Sequence, residues 1–183
     1  PSATPPPPAV TAPPPAQPAR VTYADAVRRA APAVVNIYTA RVVTERVRPS
    51  TLDDLFRDAW PRYRQRIENS LGSGVIVDHE GHIVTNHHVI ANADAIRVQL
   101  ADERVADATI VGRDPDTDLA VLRIELDNLP VVPIGRSDNL NVGDVVLAIG
   151  SPVGLSHSVT HGIVSATTRS LGVATFEDFI QTD

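Results

Sequence analysis

From Gly72 onward the chain alternates short β-rich runs with turn residues, and nothing else in it constrains the fold as tightly. "SGVIVD" and "HIVT" flank the turn "HEG", a hairpin signal. "AIRVQL", "RVADATIVG", "LAVLRI", "VVLAIG" and "HSVTHGIVSAT" follow at short, fairly regular intervals, separated by Gly, Pro, Asn and Asp. Many short strands with few helices indicate an all-β barrel or sandwich. No internal repeat at a solenoid period interrupts that reading.

The opening is of another kind. "PSATPPPPAVTAPPPAQPA" holds nine prolines in nineteen residues and no charge. Proline removes backbone donors and favours extended polyproline II, so residues 1–20 read as a semi-rigid spacer. Order is expected to begin near Thr22. There Thr22 and Asp25 suggest a capping box for a short helix that Pro32 ends. "AVVNIYTARVV" reads as β. Residues 45–70 read as a long excursion, in which Leu52, Leu55, Phe56, Ala59 and Trp60 fall at helical spacing.

Composition narrows the classes. A net charge of −6 gives no general reason to expect nucleic-acid binding, and all 16 basic residues are Arg. Cysteine is absent, so disulfides, thiolate metal ligands and a cysteine nucleophile are excluded. Methionine is absent even from position 1, which leads to the expectation that an upstream signal peptide or membrane anchor has been removed.

Two clusters resemble metal sites. His79, His82, His87 and His88 are close in sequence, but HxxH across a turn followed by HH is no recognised zinc spacing, and no cysteine can complete it. Exposed turn positions are expected for His79 and His82. In "DPDTDLAVLRIE", Asp114, Asp116, Asp118 and Glu125 fit four places of a calcium loop, but Leu119 stands where glycine must make the sharp turn. No metal and no cofactor is expected.

His88 and Asp118 form a different kind of pair. An imidazole acting as general base needs a carboxylate on its other nitrogen to hold the tautomer and stabilise the imidazolium. Both residues lie at the edges of apolar strands, where a barrel could hold them rigidly. Spacing alone favours plainer roles: a satisfied polar residue at a strand end, and a turn aspartate.

The motifs "GSGVIVD", "GHIVTNHHVI", "DPDTDLAVLRI", "GDVVLAIGSPVGL", "VTHGIVSAT" and "EDFIQTD" occur here in one order. Together they resemble the HtrA (Deg) family of bacterial trypsin-like serine peptidases, over about Tyr23 to Asp183. "YADAVRRAAPAVVNIYT" is most similar to the membrane-anchored, stress-sensing DegS/AlgW branch. The resemblance implies two chymotrypsin-like β-barrels: the first over residues 21–130, then an inter-barrel link and an incomplete second barrel over 131–183. It implies His88 as general base, Asp118 as its orienter, and an incidental role for His87. Arg169 falls in the segment that acts as a sensor loop in that branch.

The family's nucleophile would follow "QTD" in a "GNSGG" motif, beyond Asp183. Ser151, Ser165 and Ser170 lack that context, so the 183 residues alone are expected to be inactive. The resemblance further implies an ATP-independent periplasmic endopeptidase, trimeric, acting on unfolded or regulatory envelope proteins. For the anchored branch it implies cleavage of a membrane-bound anti-sigma factor and a tether to the inner membrane. The rival class is a non-catalytic binding or oligomerisation module, with a zinc-binding module third.

Overall fold

The computed structural model describes residues 22–46, 63–150, 158–169 and 179–183. A short helix, α1 (Ala24–Ala30), and a 3₁₀ turn (Ala31–Ala33) lead into β1 (Val34–Arg46). Pro32 sits at the start of that turn, so α1 stops just before the proline, as expected. The capping box does not form. Tyr23 is the N-cap, Thr22 Oγ1 accepts only the Ala24 N–H, and the Asp25 carboxylate turns outward to Arg28 one helical turn on.

β2 (Tyr63–Ile76) runs antiparallel to β1 along its whole length, from Val34 opposite Val75 to Arg46 opposite Tyr63. This corrects the extent of the excursion, since 63–70 are strand rather than loop. The alternation that permits it is weak because both faces of the ribbon's outer half lie in solvent. There Val42 faces Ile67, and Ile67 is 66% exposed. Leu52, Leu55, Phe56, Ala59 and Trp60 lie outside the described residues.

β3 (His82–Asn86), β4 (Ala95–Gln99), β5 (Val105–Asp107), β6 (Thr109–Asp114) and β7 (Leu119–Arg123) complete a seven-stranded sheet ordered β5-β4-β1-β2-β3-β7-β6. "RVADATIVG", read as a single strand, is broken at Ala108, whose N–H is donated to Ile96 O at 2.9 Å. The two halves therefore pair with opposite ends of the sheet, β5 with β4 and β6 with β7. One bent strand supplies both edges, so the sheet wraps onto itself as a barrel.

Its interior is aliphatic. Val35, Ile37, Ile76, Ile83, Val98 and Leu122 are fully buried, and Ile90, Ile96, Leu100, Ile124 and Leu129 join them. Alternation explains the set: in β1 Val35 and Ile37 point inward, while Asn36 between them and Tyr38 after them are less buried. Gly74 is part of this packing, because a β-carbon there would come within 2.6 Å of Ile83 and 2.9 Å of Ile37.

The chain then crosses to a second, three-stranded antiparallel sheet, ordered β10-β9-β8. It consists of β8 (Val145–Gly150), β9 (Ser158–Arg169) and β10 (Phe179–Thr182). Val164 is buried in it, while Val145, Val159, Ile163, Phe179 and Ile180 are exposed. Tyr23 at the head of α1 lies against His161 of β9, ring centroids 5.7 Å apart. Among the described residues no helix is long and apolar enough to cross a membrane.

Candidate active site

The site forms where β3 ends beside the start of β7. Their register pairs Asn86 with Leu119, so the residues just beyond that pair, His87–His88 on one side and Asp118 on the other, must meet. The chain after Asn86 does not continue as strand. It makes one turn of helix, α2 (His87–Ile90), anchored by fully packed Ile90. The His87 N–H donates to Asp118 O at 2.9 Å and closes the corner.

Asp118 then holds His88 at two points. Oδ1 accepts the His88 backbone N–H at 2.9 Å, and Oδ2 lies 2.7 Å from the ring Nδ1. Asp118 takes φ +55, the left-handed region, which turns its carboxylate toward α2 rather than along β7. The His88 backbone N–H is the main influence on the Asp118 carboxyl and holds it below the usual carboxylate range. The ring of His88 and the amide of Asn86 act the same way, against a desolvation that opposes them. The aspartate is thus kept ionised beside the imidazole.

The outer edge of the imidazole is open. The His88 side chain is 72% exposed while that of Asp118 is 35% exposed. With Nδ1 committed to a carboxylate, the exposed Nε2 is the nitrogen free to take a proton from a group approaching from solvent.

Asn86, which the residue-level reading had not singled out, belongs to this corner. Its Nδ2 donates to Asp118 O at 3.1 Å and to Oδ2 at 3.3 Å. Its signal in the sequence is its place inside the quoted "TNxHV" pattern, two residues before His88. Thr85 beneath it is buried and donates its hydroxyl to Ser73 O at 2.8 Å, tying β3 to β2. Asp114 of the calcium-like run faces its own turn. Asp114 accepts the Asp116 N–H at 3.0 Å and the Thr117 hydroxyl at 2.9 Å.

The remaining histidines sort differently from one another. His79 is exposed at the hairpin turn. His82, expected to be exposed too, is half-buried and repeats the geometry of the His88–Asp118 pair: Asp78 Oδ1 accepts the His82 N–H at 3.1 Å, and Oδ2 lies 2.7 Å from Nδ1. Asp78 also accepts the Glu80 N–H at 2.9 Å, so this pair closes the turn between β2 and β3. Among the described residues, no group of three or more His, Cys, Asp or Glu is arranged to hold a metal ion. Arg169 ends β9 opposite Phe179, in the second sheet.

A curled sheet with a histidine–aspartate pair at the corner between β3 and β7, followed by a second antiparallel sheet, fits the class of trypsin-like peptidase folds. Residues 72–183 match the family described as trypsin-like peptidase domain, and the chain belongs to that family. The chain is 46% identical over 181 residues to a probable periplasmic serine endoprotease, DegP-like, of Marinomonas sp. (strain MWYL1), covering 88% of this chain and 38% of that protein. A protein of the same description from Pseudomonas fulva (strain 12-X) is 45% identical over 178 residues, covering 86% of this chain and 37% of its own length. Among solved structures, the HtrA-type protease AlgW with decapeptide superposes with TM-score 0.72 at 51% identity, over 89% of this chain and 51% of that one. AlgW with tripeptide gives TM-score 0.73 at 49% identity, over 88% and 46%. The chain thus spans under two fifths of these DegP-like relatives and about half of the AlgW chains.

Proposed function

We propose that the native protein is an ATP-independent serine endopeptidase of the bacterial periplasm, with His88 as general base and Asp118 as the residue that orients it. The observation that carries this reading is the His88–Asp118 pair at 2.7 Å with the far edge of the ring open to solvent. The nucleophilic serine is assigned to the polypeptide following Asp183, in keeping with the His, Asp, Ser chain order of chymotrypsin-like enzymes.

In this mechanism the serine hydroxyl attacks the scissile carbonyl as Nε2 of His88 removes its proton. The imidazolium then gives that proton to the leaving amine, and water repeats the sequence to release the acyl group. Asp118 stays ionised throughout and stabilises the charged ring. No bound metal is needed for these steps. The polypeptide ending at Asp183 should show no hydrolytic activity by itself.

The substrates proposed are unfolded or regulatory envelope proteins, including a membrane-bound anti-sigma factor. The AlgW structures carry short peptides, which supports a peptide-binding cleft in this chain as well. The wider assignment is a homotrimer tethered to the inner membrane by a segment preceding the Pro-rich residues, with Arg169 relaying a regulatory signal to the oxyanion loop.

The test is a fluorophosphonate label and a casein-cleavage assay on the full-length protein and on His88→Ala. Labelling and cleavage that both vanish in His88→Ala are expected. Wild-type protein that neither labels nor cleaves would transfer the chain to the binding-module class.

A further inference from the structure

By position Asn86 is the N-cap of α2, with extended backbone (φ −82, ψ 144) ahead of His87 and His88, the first two helical residues. Asparagine is among the preferred residues at such a place because its side-chain oxygen accepts the N–H of the second or third helical residue. Asn86 makes no side-chain capping bond. The donor it would satisfy, the His88 N–H, goes to Asp118 Oδ1 at 2.9 Å, and the His87 N–H goes to Asp118 O at 2.9 Å. The start of α2 is thus capped by Asp118, from across the sheet, and the side chain of Asn86 is left for another task.

Its amide turns to the residue that took over the cap. Nδ2 donates to Asp118 O at 3.1 Å and to Asp118 Oδ2 at 3.3 Å. Oδ2 is the oxygen that faces His88 Nδ1 at 2.7 Å. One amide therefore reaches both the main chain of a residue at φ +55 and the carboxylate oxygen that meets the imidazole. A non-glycine residue stays in that left-handed region only where its surroundings hold it. Asp114, a carboxylate on the same turn, is engaged with the Asp116 N–H and the Thr117 hydroxyl instead.

Two donors on Oδ2, the ring of His88 and the amide of Asn86, fix the rotation of the carboxylate, so it meets the imidazole at one angle. The amide also draws off part of the negative charge on Oδ2, which moderates how tightly Asp118 binds an imidazolium. That balance matters to a base that must pass its proton on, since an over-stabilised imidazolium gives it up less readily.

We propose that Asn86 is a positioning residue for catalysis: its side-chain amide locks the Asp118 carboxylate against His88 and tunes the imidazole through it, instead of capping the helix that begins at its own position. The inference rests on the serine-peptidase reading, and in it Asn86 acts through Asp118 rather than on the substrate.

The experiment uses the full-length protein with Asn86→Asp and Asn86→Ala. Aspartate caps a helix as well as asparagine but has no N–H to donate, whereas alanine neither caps nor donates. Fluorophosphonate inactivation is resolved into its maximal rate and its half-saturation, and kcat and kcat/KM are followed against pH. Both variants should lose about 10- to 100-fold in kcat and in the maximal inactivation rate, the scale of a small misplacement, with KM near wild type. The acid limb of kcat/KM should move to higher pH in both. A carboxylate released from the amide holds the imidazolium more tightly, and in Asn86→Asp a second negative charge adds to it.

A capping role gives another pattern, with Asn86→Asp at the wild-type rate and Asn86→Ala lowered in Tm. That pattern, or an acid limb unmoved in both variants, would overturn the proposal while leaving the peptidase reading standing. If Asn86→Ala does not fold, a folded Asn86→Asp as active as wild type would overturn it equally. A wild-type protein inert to the label would remove the peptidase reading itself, and the Asn86 proposal with it.

Discussion

Asp118 holds His88 by backbone and ring at once, accepting the main-chain N–H at 2.9 Å through one oxygen and facing Nδ1 at 2.7 Å with the other. The first bond fixes where the α2 turn begins, and the second fixes which edge of the imidazole faces outward. Because both come from one carboxylate, the position and the tautomer of the imidazole are set together.

Asp118→Asn in the full-length protein separates these two tasks. The amide oxygen can still accept the His88 N–H, so circular dichroism and Tm should change little. The side chain can no longer stabilise an imidazolium or enforce the tautomer, and kcat should fall by about ten-thousand-fold. Near-normal turnover would remove Asp118 from its role.

The Asp78–His82 pair offers a matched control, with the same bonding pattern at a hairpin turn instead of a site mouth. Asp78→Ala strips the turn of its acceptors for the His82 and Glu80 N–H groups, and Tm should drop. Turnover per folded molecule should be unaffected. A rate loss comparable to that of Asp118→Asn would show that the hairpin is coupled to the chemistry.

Gly74→Ala tests the barrel packing that carries the site. A methyl group there meets Ile83 at 2.6 Å and Ile37 at 2.9 Å, both wholly buried. Overpacking of this kind costs about 1–3 kcal/mol, read as a lower urea midpoint. A variant as stable as wild type would mean that β1 and β3 can separate without penalty.

Stability should fall in acid for an identifiable reason. The Asp118 carboxyl is held low chiefly by the His88 N–H, and that of Asp78 chiefly by the His82 N–H. A lowered value in the folded protein means the native state binds the proton less tightly than the unfolded chain. The stabilisation is therefore complete above the ordinary carboxylate value and disappears as pH falls through the lower folded one. Urea midpoints followed from neutral pH into the acid range should decline, and a double Asp78→Asn, Asp118→Asn variant should decline less. Identical acid slopes would assign the effect to other carboxylates.

Much of this architecture could be read one segment at a time. Apolar alternation marked "HIVT", "AIRVQL", "LAVLRI" and "VVLAIG", and each is a strand at close to its expected place. The HtrA-like motifs named His88 and Asp118 without any coordinates. Where the local reading erred, a competing contact won: Asp25 went to Arg28 rather than to a cap, and residues 63–70 became strand because β1 extends alongside them.

The sequence by itself determined most of the extended segments after Gly72 and which histidine and aspartate carry the family's signature, because these depend on side-chain type and local spacing. Only the tertiary structure decided that residues thirty positions apart come within 2.7 Å. That distance follows from the Asn86–Leu119 register, which is a matter of hydrogen bonds between strands, and from the bend at Ala108 that lets one strand close both edges of the sheet. Local propensity holds no record of such relations, since they exist only once the barrel has closed.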